Sequence, residues 1–306
     1  MLLQKNWPEL LWPGLKAIYN EQIGKHPDVV SRLFNVQTSS KYKEKLHGTG
    51  NLGLMTPWAG RTSYEDFKAG YTPEFEHKMY DKGIEIERNL VKFDQYDEIK
   101  SRVEELADTA AYTRQYYGAM VFNHATDGGD EYLGIDGQPL CSASHPVSPT
   151  DATTWRNLRT TRDLTPANLE DTRTEMMTWT DDKGKYLVMK PDTILVGPGG
   201  RERALVIAGS EGKPDVADND INIWKGKITV IEWQLLTTAH GLPAADFWFL
   251  IDSTRQKRDF VWFDVFRNEF DDNIDWDTLA ARYRVISMFS RGWRSPRSIF
   301  GCYKAA

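Results

Sequence analysis

The sequence predicts an α+β chain, on three observations. One amphipathic helix of unusual length runs from about Asp97 to Ala125. Period-two apolar runs lie on both sides of it, and helix and strand patterns alternate through 164–255. In the long helix, Ile99, Val103, Leu106, Ala110, Thr113, Tyr117 and Met120 recur at steps of three and four, so they share one stripe. Val121 and Ala107 widen it. The opposite face carries Glu98, Arg102, Glu104, Glu105 and Asp108, with Glu98 and Arg102 in the favoured i,i+4 order. Asp94 or Asp97 is placed to cap the start, and Thr126-Asp127-Gly128-Gly129-Asp130 stops the helix. At 1.5 Å per residue it is roughly 40 Å long, well beyond an ordinary globular helix. A helix so long with one apolar face acts as a spine on which flatter elements are laid.

The 306 residues suffice for two domains or one large one. A net charge of −6 argues against a dedicated nucleic-acid binder. Eleven Trp and thirteen Tyr are an aromatic load suited to large buried interfaces. Cys141 and Cys302 make no disulfide framework, and a reducing compartment is the simple reading. The start, Met1-Leu2-Leu3-Gln4-Lys5, lacks the parts of a signal peptide, and no apolar run reaches membrane-spanning length.

Residues 1–45 read as an arm. Pro8, Pro13 and Gly14 break it early, a short helix is expected over Leu15–Ile23, and a further turn over Asp28–Phe34. The arm docks either on its own domain or on a neighbouring subunit. Over 46–90, the run His47 to Gly53 is flexible. Two alternating runs follow, Phe75–Tyr80 and Ile84–Arg88, with Asp81-Lys82-Gly83 as the turn of a two-stranded ribbon. A ribbon so poor in apolar residues needs a surface to lie on, and a second chain is the obvious one.

After the spine, Asp136-Gly137 reads as a hairpin turn, and Ser148 to Arg162 as a polar linker. Thr165-Pro166 opens a helix with an apolar face of Leu169, Thr172, Met176 and Trp179, ended by Asp181–Gly184. Strands are expected at Thr193–Val196, Ile228–Ile231 and Phe247–Ile251, with a helix over Arg201–Ala208 packed by Ala204, Leu205 and Ile207. The chain closes with extended runs, Phe260–Phe266 and Leu279–Phe289, that fit a long sheet along the spine, then the basic residues Arg291, Arg294 and Arg297.

This order of parts resembles the tailed-phage major capsid proteins of the Hong Kong 97 type, and more narrowly the Mu-like major head subunit family. The segments that carry the resemblance are Asp136-Gly137 to Leu140 with Ser144-His145-Pro146, and Leu164–Leu169 with Gly184–Leu187 and Lys190–Val196. Arg282-Tyr283-Arg284 with the Arg-rich end completes them. It covers roughly residues 60–306, and its signal is the succession of motifs.

The resemblance implies an N-terminal arm at 1–45 and an extended loop at 46–90 that reaches over a neighbour. A peripheral domain at 91–163 and 256–306 and an axial domain at 164–255 follow. It implies self-assembly as pentamers and hexamers into an icosahedral shell around double-stranded DNA. Portal and scaffolding proteins and a decoration protein are the expected partners, with no membrane and no cofactor. The extended loop begins by about residue 46, so a separate scaffolding protein is expected, with a scaffolding segment fused upstream and already removed as the alternative. The location implied is the virion, assembled in the host bacterial cytoplasm. Trp7, Trp12, Trp58, Tyr64, Phe67, Tyr71 and Phe75 are the candidate inter-subunit contacts, and Arg291, Arg294 and Arg297 the candidate inner-surface residues. The acidic average suits a container whose DNA must slide. Pairing of those arginines with carboxylates is the competing reading.

Two other classes remain in view: an encapsulin-like cargo shell, and an α/β enzyme with Cys141 as nucleophile. His124, Cys141 and His145 do not share one helical face, and no acid completes a triad by spacing, so neither a catalytic nor a metal site is expected. Gly197-Pro198-Gly199-Gly200 lacks the ending of a phosphate loop and reads as a tight turn. Lys43, Lys45, Lys68 and Lys78 lie in or near the loop region, with no arrangement that favours an isopeptide crosslink.

Overall fold

A computed structural model describes residues 7–58, 60–93, 95–129, 131–212, 214, 221–239, 242–243, 246–275 and 280–304. Asp94, Asp130, Leu279 and the first six residues lie outside it, as do the side chains of Trp7 and Leu10. The spine helix spans Tyr96–Asn123, so it is about 42 Å long. Asp97 sits in its first turn rather than capping it, and Gln95 holds the cap position without a side-chain bond. An acid there still favours the positive end of the helix dipole.

The buried line begins as the sequence predicts, at Ile99, Val103, Leu106 and Ala107. It then turns away from Tyr117 and Met120 to Ala111, Arg114, Gly118, Val121 and Phe122. Two residues cause this. Gly118 has no side chain, and Trp233 and Val30 close over it: a Cβ there would meet them at 3.0 and 2.9 Å. Arg114 is buried because its Nη1 donates to Asp264 Oδ1 at 2.7 Å while its guanidinium lies 4.5 Å from the Trp262 ring centroid. Trp262 Nε1 donates to the same oxygen at 2.7 Å.

The arm is one helix, Trp7–Gly24, with Pro13 inside it. The expected break does not occur, because Leu15 and Tyr19 are buried in the cluster formed with the spine and the long strands. Trp12 stacks on Phe270 at 4.8 Å, and Gln22 and His26 bond Asp108 of the spine's polar face. Docking on its own domain is therefore the arrangement seen. A short helix, Val29–Leu33, follows, capped by Asp28, whose carboxylate accepts from Ser31 N at 3.0 Å.

The main sheet along the spine has four strands in the order Asn35–Thr38, Phe260–Asp275, Ala280–Trp293, Lys78–Glu87. The ribbon turn at Asp81-Lys82-Gly83 does not form. Lys78–Glu87 is one edge strand, and Asp81, Lys82 and Gly83 pair with Ile286, Val285 and Arg284. A long partner strand offers an unbroken ladder, which outweighs local turn preference. Asn35–Thr38, four residues without clear alternation, pairs in parallel with Phe260–Asp275 and had no sequence signal.

A second sheet has five strands in the order Leu158–Arg159, Ile299–Tyr303, Phe247–Ile251, Thr193–Val196, Thr229–Glu232. The last strand of the chain thus pairs with Phe247–Ile251, within the block expected at 164–255. This corrects the placing of all of 256–306 beside the spine. The expected linker 148–162 instead holds a hairpin, His145–Ser148 with Asp151–Trp155, and the edge strand Leu158–Arg159. Helix Pro166–Met177 starts as expected, with Thr165 Oγ1 accepting from Asn168 N at 3.2 Å. In helix Arg201–Gly209, Ala204 and Ile207 are buried but Leu205 is exposed, contrary to its expected packing role.

Only 8% of each side chain in the Arg114–Asp264 pair is exposed, so breaking it leaves a buried charge. Arg114→Ala is expected to cost about 3–5 kcal/mol in urea unfolding of the unassembled subunit. A loss under about 1 kcal/mol, the range of surface pairs, would contradict this account of the spine.

Candidate assembly surfaces

Among the described residues of 50–68 no helix or strand forms. The base of this loop is closed by Gly50 N donating to Lys68 O at 2.8 Å and Gly70 N to Gly48 O at 3.0 Å. Gly48 is required there, since a Cβ would fall 2.0 Å from Tyr71 O. The loop is fastened to the turn 181–185. Asn51 Nδ2 donates to Asp182 Oδ1 at 2.7 Å, Lys183 pairs with Glu65, and Lys185 donates to Leu52 O. Lys183 holds the Glu65 carboxyl below its usual range.

The loop buries almost none of its own apolar groups. Met55 is 99% exposed, Trp58 81%, Tyr64 93%, and Leu54 and Phe67 are exposed too. Five large apolar side chains on one irregular segment exceed the scattered exposure normal for a monomer. A second apolar surface is a groove of about 460 Å³ between spine and main sheet, where Met79, Tyr112, Tyr116 and Phe266 are exposed.

Of the seven candidate contacts, Trp58, Tyr64 and Phe67 thus stand free on the loop. Tyr71 is half-buried at its base. Two differ from these: Phe75 is buried against Val261 and Phe263, and Trp12, partly buried, stacks on Phe270 of its own chain. The side chain of Trp7 lies outside the described residues.

The three arginines separate in the same way. Arg291 Nε donates to Tyr117 O at 2.7 Å and its Nη2 to Tyr132 Oη at 3.0 Å, so it ties the last long strand to the spine. Arg297 donates to Thr180 O and lies 4.6 Å from the Trp155 ring centroid. Arg294 is exposed, and its Nη2 donates to His47 O at 3.4 Å. Arg294 and Arg297 line a cavity of about 520 Å³ beneath the loop, with Arg255, Arg258, Asp181 and Asp259. Carbonyls, a phenol and aromatic rings, rather than the carboxylates of the competing reading, are the contacts of this basic close.

The three groups weighed as a chemical site have separate partners. His124 Nδ1 is 3.0 Å from Asp127 Oδ1. His145 is fully buried between Asp136 and Asn157. Lys43 and Lys45 pair with Glu74, and Lys78 with Glu131. Gly197–Gly200 forms a tight turn leading into helix Arg201–Gly209. The cluster around His145 was illegible in sequence, because its members lie nine to over a hundred residues apart.

The profile of a family described as phage capsid protein matches residues 72–302. No curated protein sequence matches significantly. Among solved structures, a chain of the bacteriophage JBD30 procapsid is similar at 13% identity and TM-score 0.53, covering 99% of this chain and 76% of that one. The bacteriophage PhiM1 mature capsid is similar at 10% identity and TM-score 0.55, covering 92% and 88%. A virus-like particle from Pyrococcus furiosus is similar at 8% identity and TM-score 0.55, covering 94% and 97%. These likenesses show the Hong Kong 97 type fold.

Cys141 is buried and its thiol is pushed far up by burial and by the neighbouring Cys302, itself pushed up to about 12. Nucleophilic chemistry needs the thiolate, which burial disfavours here, and Cys141 packs against Gly301. Neither thiol of the native chain is expected to react with a disulfide reagent at neutral pH, and both are expected to react in denaturant. Fast labelling of Cys141 in the folded protein would reopen the nucleophile reading.

Proposed function

The chain belongs to the phage capsid protein family and is a major capsid protein of the tailed-phage type, and we propose that it assembles as pentamers and hexamers into the icosahedral wall of a head that holds double-stranded DNA. The observation that carries the detail is the exposed apolar loop at 50–68. A chain that leaves Met55, Trp58 and Tyr64 in water completes its burial in an assembly. The loop and the groove beside Tyr112 share no residues. Two different patches that meet make a head-to-tail contact, which gives a ring where the rotation between subunits closes.

In this reading the extended loop narrows to about 46–73, since 78–87 is an edge strand of the main sheet. The spine and long strands make the peripheral part, and the five-stranded sheet with its helices the axial part near the ring centre. Within the family, the motif order from Asp136 to Val196 supports a Mu-like head subunit. Portal, scaffolding and decoration proteins are the proposed partners. Packaged DNA is held without sequence specificity, inside particles assembled in the bacterial cytoplasm. The net charge of −6 supports weak DNA contact, and Arg294 is the one of the three arginines that stays exposed.

Expression with a scaffolding protein is expected to give shells or capsomers in negative-stain microscopy. Removal of residues 51–67 is expected to abolish them while leaving a folded monomer by circular dichroism. Normal shells from the deletion would refute the loop's role; a permanent small monomer from the intact chain would refute assembly itself. Particles purified from cells without phage that carry an enzyme in place of nucleic acid would favour the encapsulin-like alternative.

A further inference from the structure

The loop at 50–68 is held at two levels. At its base, Gly50 N and Gly70 N donate to Lys68 O and Gly48 O, and Thr49 and Ala69 form an antiparallel bridge. One step further out, two carboxylates tie it to the turn 181–185. Glu65 uses both oxygens: Oε2 accepts from Gly53 N at 2.7 Å, which closes the neck of the loop, and Oε1 pairs with Lys183. Asp182 Oδ1 accepts from Asn51 N at 3.1 Å and from Asn51 Nδ2 at 2.7 Å. Lys185 adds a bond to Leu52 O.

Both sides of this clasp are shaped for it. On the turn, Asp181 Oδ1 accepts from Lys183 N and Lys185 N, each at 2.9 Å, and Asp181 N donates to Lys185 O at 2.8 Å. Asp182, Lys183 and Lys185 are therefore presented by a tightly closed turn. On the loop, glycine stands where the chain passes each carboxylate. A Cβ on Gly50 would fall 2.8 Å from Asp182 Oδ2, and one on Gly53 3.0 Å from Glu65 Oε2.

The clasp does not hide the loop's apolar groups. Leu54, Met55, Trp58 and Tyr64 all lie between Gly53 and Glu65 and stay exposed. It therefore acts on the direction of the loop and leaves the contact surface free. A loop tied only at its base samples many directions, and the freedom lost on docking opposes association. We infer that the clasp made by Glu65–Lys183 and Asn51–Asp182 preorganises the loop for a neighbouring copy of the chain, so that it lowers the concentration at which subunits assemble. This inference rests on the assembly reading above. Glu65 is 42% and Lys183 23% exposed, and an exposed pair is weak, so the effect per subunit is a few-fold. A contact that held the subunit back from assembly would act with the opposite sign.

Two measurements on the full chain test it. One is trypsin cleavage after Arg61, an exposed residue beyond the clasp, read by fragment mass in the unassembled subunit. The other is the assembly threshold by light scattering. Glu65→Gln removes the charge, and Lys183→Glu sets two carboxylates against each other. Each is expected to speed cleavage and to raise the threshold a few-fold, Lys183→Glu more than Glu65→Gln. In the double variant Glu65→Lys with Lys183→Glu the pair is restored with its charges exchanged, while Gly53 N loses its acceptor. Both quantities are then expected to return part of the way from Lys183→Glu to wild type. Unchanged cleavage in both single variants would overturn the proposal, because the clasp then does not hold the loop. Faster cleavage with an unchanged or lower threshold would overturn it too, as would a double variant no closer to wild type than Lys183→Glu. A wild type that never assembles would refute the assembly reading and the proposal with it, and is told apart by the absence of any threshold.

Discussion

A rod with one apolar face has to be covered along its whole length, and the rest of this chain is arranged to do that. Over its first half the spine is covered by the arm helix and by Ile86, Phe270, Ala281, Tyr283 and Val285 of the main sheet. Over its second half it is covered by Phe34, Trp233, Phe249, Phe260 and Trp262, which meet Phe122 and one another. Between them sit Arg114 and Gly118, where the covered line swings round the helix. The paired guanidinium lets a charge pass under the sheet, and the missing side chain lets Trp233 approach. Burial on this scale supplies most of a helix's stability, since propensity alone is marginal.

Among the described residues the two sheets share no ladder, so their relation depends on what crosses between them. The crossing segments are short: the turn after the spine, the hairpin at 145–155, and Pro296–Ile299 on the way to the last strand. Asn157 and His145 bind all three. The Asn157 amide accepts from Ser142 N, and its two N–H hydrogens are shared among the carbonyls of Leu140, Pro296 and Ile299, which leaves that joint little freedom. In a shell subunit this matters, because curvature of the wall is set by how the parts of one chain are held at fixed angles.

The assembly reading rests on surfaces. The loop at 50–68 carries apolar rings on a segment with no core of its own, and one ion pair, Lys183–Glu65, with surface hydrogen bonds holds it to the turn 181–185. Such pairs are weak and screened by salt. The loop is therefore held ready and can be redirected at low cost when a neighbour offers apolar cover.

The sequence by itself determined the elements whose signal is local. The spine, with its 3.6-residue stripe from Ile99 to Leu106, is one. The capped helix at Thr165-Pro166, the all-apolar strands Thr193–Val196 and Phe247–Ile251, and the turn at Asp136-Gly137 are others. The order of these parts was enough for the fold class and for the resemblance to capsid proteins. Tertiary structure alone decided whatever depends on a distant partner. Asp81-Lys82-Gly83 looks like a turn but is straightened by a ladder to residues two hundred positions away. Arg291 looks like a free cation but is held by Tyr117 and Tyr132. Phe75 and Trp12 look like contacts for a neighbour and are covered within the chain. Periodicity reports which face of an element is apolar, whereas only the packed chain determines what covers that face and which polar groups meet when it does.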